Sequence, residues 1–153
     1  MGFDAQAFQS ASLKHREADV PVPALKPWFD DEPVWRVRGL TGAELGRAQE
    51  AENRAKTIMA AIEAIAAGQP KAAELKTALG LGDDVPAEVA RRLALLVAGS
   101  VSPECDHETA VRLSETHPTI FYALTNKILS LTGEGAELGK PGRSGKSQTP
   151  EPA

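Results

Sequence analysis

The sequence is poor in cysteine, in aromatic side chains and in long apolar runs, and each shortage excludes a class of protein. Its 153 residues include one cysteine, Cys105, so no intramolecular disulfide can form and a reducing compartment is expected. Aromatic residues make up 5% of the chain, whereas β-sandwiches depend on β-branched and aromatic side chains. No run approaches the roughly 18 apolar residues of a membrane span, and the N-terminus lacks the apolar core of a signal peptide. We therefore expect a soluble, cytoplasmic protein without a membrane partner.

Positive charge is also in short supply. Lysine and arginine number 17 against 21 acidic residues, which gives a formal net charge of −4. Nucleic-acid binding needs concentrated basic side chains, so a nucleic-acid partner is not expected. The segment that runs through Gly80 and Gly82 to Arg91 and Arg92 has some features of a helix-turn-helix, but the alignment places Pro86 or Glu88 where that motif needs a buried apolar residue.

Alanine is abundant, and apolar residues recur at helical spacing along the middle of the chain. This pattern predicts a mainly α fold, a small domain of about five helices over residues 33–132. Thr41 and Glu44 form a capping-box pattern that predicts the start of a long helix over residues 41–67. Further helices are predicted over residues 70–80, 86–98, 106–116 and 118–131.

Different patterns flank this predicted helical domain. Residues 1–32 are expected to be mobile or extended, with a short helix over residues 5–13 as an alternative, because prolines 21, 23, 27 and 33 oppose a helix in their segment. The alternation in PVWRVRGL predicts one short strand just before the first long helix. Residues 133–153 hold five glycines and three prolines and no aromatic residue, which predicts a disordered tail.

Two patterns resemble a phosphate-binding loop and a zinc site, but neither has the spacing that such a site requires. Gly139 to Ser147 resembles a phosphate-binding loop, but five residues rather than four separate its outer glycines, and no strand precedes it. Cys105, His107 and His117 lack the paired spacing of a zinc site, and no third group is available to make Cys105 a nucleophile. We expect no catalytic residues, no cofactor and no metal, and therefore no enzyme.

Three aromatic residues, Trp28, Phe29 and Trp35, lie in or beside the proline-rich segment. They could cover one end of the helical core, which is the favoured interpretation, or they could form an exposed anchor for a partner protein. The alanine stripe of the helix over residues 41–67 could likewise pack inside the domain or against a second copy of the chain.

Three stretches resemble a known family when they are read together: PVWRVRGLTGAEL, DVPAEVARRLALLVAGSV and HPTIFYALTNKILSLTG. In order and pattern they are similar to the tail assembly chaperones and related small tail proteins of long-tailed bacteriophages, over about residues 33–133. The resemblance implies a protein of the host cytoplasm that binds the tape measure protein before the tail tube polymerises, and that meets the tail tube protein as the tube grows. It carries over no catalytic residues. The alternatives are a minor structural tail or connector protein of the virion, a small helical adaptor, or a DNA-binding regulator.

Overall fold

The computed structural model describes residues 2–65 and 87–139, in which helices predominate over short strands. The mainly α fold class is therefore confirmed. The predicted helix over residues 70–80 and the part of the predicted tail beyond residue 139 lie outside the described residues. The helices are α1 (Ala5–Ser10), a 3-10 helix (Pro23–Trp28), α2 (Gly42–Ile65), α3 (Ala87–Gly99), α4 (His107–Thr116) and α5 (Pro118–Glu134), and the strands are β1 (Leu13–Lys14), β2 (Glu17–Pro21), β3 (Val34–Arg38), β4 (Ser100–Ser102) and β5 (Glu137–Leu138).

The capping box at the start of α2 is present as predicted. The Thr41 amide donates to Glu44 Oε1 at 2.9 Å, and the Glu44 amide donates to Thr41 Oγ1 at 3.1 Å, so two amides at the helix start are satisfied. Further along α2 the buried residues recur every seven positions, and this face packs against α3. They are Ala48, Ala55 and Ile62. Because two of these three side chains are alanine, α2 and α3 can approach each other closely.

Helix α5 forms the centre of the core, and α3 and α4 pack against it. The predicted break at His117 and Pro118 is present, since α4 ends at Thr116 and α5 begins at Pro118. Asp106 caps α4, where its carboxylate accepts the Thr109 amide at 2.8 Å. The fully or nearly fully buried side chains of α5 are Phe121, Leu124, Thr125 and Ile128.

The predicted strand is the middle of a three-stranded antiparallel sheet in the order β2-β3-β4. Trp35 and Val37 point into the core, while Arg36 lies on the exposed face opposite Asp19 of β2. The sequence pattern predicted only the central strand because β2 contains a proline and β4 has three residues, too few to show an alternation. The Ser102–Pro103 peptide bond that follows β4 is cis.

Both ends of the domain contain more regular structure than the sequence predicted. Residues 2–32 contain α1, which is the alternative helix over residues 5–13 in a shorter form, together with β1, β2 and the 3-10 helix, and Val22 and Leu25 are part of the core. Proline is compatible with the 3-10 helix because its fixed φ is close to the 3-10 value. At the other end, α5 continues to Glu134, and β5 pairs with β1. In the described part of the predicted disordered tail, residues 133–139, two residues therefore continue α5 and two pair with a strand distant in sequence.

Candidate functional site

A surface groove of about 730 Å³ lies where the 3-10 helix, the start of β3, the segment after β4 and α4 meet. We call it the Trp28 groove. Its volume falls within the range of about 300–1,000 Å³ that is typical of ligand sites. It is lined by Leu25, Trp28, Phe29, Asp30, Asp31, Glu32, Val34, Trp35, Ser102, Pro103, Glu104, Thr109, Arg112, Leu113, Thr116 and His117.

The floor of the groove is apolar and fixed by the core. Leu25, Trp35 and Leu113 are buried, and Trp35 is only 4% exposed. The Trp35 indole N–H donates to Ser100 Oγ at 3.0 Å, and the Ser100 hydroxyl donates to the Leu96 carbonyl at 2.7 Å. Because the Trp35 indole N–H is hydrogen-bonded to Ser100, where α3 ends and β4 begins, Trp35 is a rigid part of the floor.

Trp28 is the exposed aromatic residue of the groove, with 73% of its surface accessible. It is the last residue of the 3-10 helix, and the chain becomes extended at Phe29, whose amide donates to the Lys26 carbonyl at 3.0 Å. The indole lies edge-on to the His117 ring, with centroids 6.4 Å apart. Phe29 is half-buried and packs against the core. The structure therefore separates the three predicted aromatics: Trp28 is at the surface, Phe29 is intermediate, and Trp35 is not available as an exposed anchor.

The rim of the groove is predominantly acidic. Asp30, Asp31, Glu32 and Glu104 are exposed, and none forms an ion pair with another side chain of the described residues. On the side formed by α4, Arg112 contributes a positive charge. Four carboxylates against one guanidinium leave the rim with an excess of negative charge.

Several acidic side chains outside the groove, by contrast, are paired with arginine. Arg36 Nη1 is 2.9 Å from Glu17 Oε1, Arg38 Nη2 is 2.7 Å from Glu44 Oε2, and Arg92 pairs with Glu88.

The sequence contained a signal for the acidic rim that we did not use, the run WFDDE at residues 28–32, in which three carboxylates follow two aromatics directly. No comparable signal marks Glu104, Arg112 or His117, which only the fold brings to the same groove.

The candidate thiol chemistry at Cys105 is disfavoured by its surroundings. Cys105 is buried, and burial, together with the charge of Asp106, raises the pKa of its thiol to about 11. A thiol with such a pKa is almost entirely protonated at neutral pH and is a poor nucleophile. Within residues 2–65 and 87–139 no group of three or more histidine, cysteine or acidic side chains is placed to hold a metal ion, and His107 and His117 do not form such a group with Cys105.

Comparison of the chain with protein-family models, with curated proteins and with solved structures gives no match. In the described residues no helix is long and apolar enough to cross a membrane. The Trp28 groove is therefore the candidate functional site.

Proposed function

We propose that this chain is a non-catalytic protein whose function is to hold a segment of another protein. The observation that carries the proposal is the exposed Trp28 side chain, which lies beside a preformed apolar floor. Aromatic residues are the commonest energetic anchors of protein interfaces, because a large rigid ring buries much apolar area at a small entropy cost. The groove suits this role because its apolar floor and the exposed ring offer a preformed contact surface for a partner side chain.

Within that class, we propose a tail assembly chaperone of a long-tailed bacteriophage. The support is the resemblance of residues 33–133 to that family. The partner would then be the tape measure protein, with the tail tube protein as a second contact, and the site of action would be the host cytoplasm. The chaperone would shield an apolar helical surface of the tape measure protein and be released as tube subunits add.

Co-expression with the tape measure protein of the same genome tests the proposal. We expect the tape measure protein to shift from the insoluble to the soluble fraction and to co-purify with this chain. An unrelated small acidic helical protein at the same expression level is the control. If solubility is unchanged and the two proteins do not co-purify, the chaperone proposal is wrong.

Mass spectrometry of purified virions separates the chaperone from the alternative of a minor structural tail or connector protein. A chaperone is present at trace level or absent, because it leaves before the particle is complete. A structural protein is present in a fixed ratio to the tube subunit, and that result would replace the chaperone proposal.

A further inference from the structure

We infer that the Trp28 groove recognises a short partner segment in which one large apolar side chain is flanked by lysine or arginine. The inference rests on the proposed function and adds the chemistry of the bound segment. It follows from the two kinds of surface in the groove, the apolar floor with Trp28 beside it and the acidic rim.

The apolar half of the recognition comes from the floor. Leu25, Trp35 and Leu113 are held by the core, so the cavity exists before a ligand arrives and little ordering is needed on binding. Trp28 extends beside it with most of its ring accessible, and an inserted leucine or phenylalanine side chain would cover the apolar face of the indole. The volume of about 730 Å³ accommodates such a side chain together with part of its neighbours.

The charged half comes from the rim. Asp30, Asp31 and Glu32 are consecutive, lie directly after the two aromatics, and have no ion pair within the described residues. Glu104 adds a fourth carboxylate from the segment after β4. A cationic partner gains Coulomb energy here without displacing an existing ion pair. An acidic partner would be repelled by the same groups, and Arg112 alone would not compensate for four negative charges.

The test uses a soluble peptide that alternates leucine and lysine as the probe, and its leucine–glutamate counterpart as the matched peptide. Binding to the full chain is measured by fluorescence anisotropy, and the site is located by NMR chemical-shift changes. We expect the lysine peptide to bind, with shifts at the Trp28 indole N–H and the groove residues, and the glutamate peptide to bind at least about tenfold more weakly. Equal binding of the two peptides would overturn the inference.

Two variants divide the groove into its apolar and acidic parts. Trp28→Ala should weaken binding of the lysine peptide about tenfold or more, as the loss of an aromatic anchor does. The matched control is Phe8→Ala, because Phe8 is also exposed and lies on α1 outside the groove. If Trp28→Ala binds as tightly as the unchanged protein, the groove is not the binding site.

The acidic part is tested by the double substitution Asp31→Asn with Glu32→Gln. It should weaken binding about threefold or more at low ionic strength, and the difference should disappear near 0.5 M salt, at about which exposed charges are screened. The control double substitution is Asp4→Asn with Glu50→Gln, since neither residue lines the groove or forms an ion pair within the described residues, and asparagine still caps α1. If the control double substitution weakens binding equally, the effect belongs to the net charge of the protein and the inference is wrong.

The inference and the proposed function can fail separately. If the peptide experiments contradict the inference, the co-expression result is unaffected. If the proposed function is wrong, the co-expression experiment shows it.

Discussion

Trp28 and His117 lie edge to face with their ring centroids 6.4 Å apart, although Trp28 ends the 3-10 helix and His117 separates α4 from α5. The contact joins the N-terminal segment to the helical core at the surface groove. The Trp28 side chain nevertheless remains 73% accessible.

The two tryptophans should differ sharply in their contributions to stability. Trp35→Ala removes a buried ring and leaves Ser100 without its indole donor, so we expect a loss of about 3–5 kcal/mol in the free energy of unfolding. Trp28→Ala removes a mainly exposed ring and should cost less than about 1 kcal/mol. Denaturant titration followed by circular dichroism measures both. Similar losses for the two variants would contradict the assignment of Trp28 to the surface and Trp35 to the floor.

Gly99, the last residue of α3, lies close to Ile128 of α5. A Cβ atom added there would lie 2.6 Å from Cδ1 and 2.9 Å from Cγ1 of Ile128, whose side chain is fully buried and has little room to move. We therefore expect Gly99→Ala to lower the free energy of unfolding by about 1–3 kcal/mol.

Two further variants control for the glycine substitution itself. Gly46→Ala in α2 meets no atom within 4 Å and should stabilise the protein by up to about 1 kcal/mol, because alanine favours a helix. Adding Ile128→Val to Gly99→Ala removes the nearest atom, so the double variant should lose less than the sum of the two single losses. Additive losses would show that the contact between Gly99 and Ile128 is not responsible.

Glu44 should make the protein sensitive to acid. The hydrogen bonds from the Arg38 guanidinium are the main cause that lowers the pKa of Glu44 to about 2, and the Thr41 amide contributes. Because the folded pKa is below the unfolded value of about 4.5, this stabilisation is complete above pH 4.5 and is lost as the pH falls towards 2.

The substitution Glu44→Gln isolates this effect. Glutamine keeps the capping-box acceptor but cannot form the ion pair with Arg38, so the variant is less stable than the unchanged protein at neutral pH. We expect the stability difference between the two proteins to shrink as the pH falls from about 6 to about 2.5. A difference that stays constant over this range would show that the pair of Arg38 and Glu44 does not contribute.

Cys105 should react slowly with thiol reagents in the native protein. Its thiol is buried and its pKa is raised to about 11, so both access and thiolate concentration are low at pH 8. Ellman's reagent should therefore label Cys105 rapidly in denaturant and at least about tenfold more slowly without it. Equally fast labelling in both conditions would mean that this part of the core opens readily.

The long-range features of the fold were the ones that the sequence did not predict. The capping box of Thr41 and Glu44 and the break at His117 and Pro118 are local signals, and both are present in the structure. The pairing of β1 with β5 depends on contacts between the two ends of the domain, and strands of two residues have no readable alternation.

The same limit applies to the candidate site. The alternation in PVWRVRGL places Trp35 on the apolar face of the predicted strand with Val37, whereas no comparable pattern places Trp28, seven residues earlier. The partners of the two rings are tertiary: Ser100, at the start of β4, accepts the Trp35 indole N–H, while the Trp28 ring lies beside that of His117. The carboxylates of residues 30–32 were readable in the sequence, whereas the placement of Glu104 in the same groove depends on the fold.

We propose that this protein holds a partner protein through the Trp28 groove. The most direct measurement is co-purification of the tape measure protein with the unchanged chain, with Trp28→Ala and with Phe8→Ala, each at equal expression and with folding checked by circular dichroism. We predict equal recovery of the partner with the unchanged chain and with Phe8→Ala, and at least about tenfold less with Trp28→Ala. If Trp28→Ala recovers as much of the tape measure protein as the unchanged chain does, the Trp28 groove does not hold the partner.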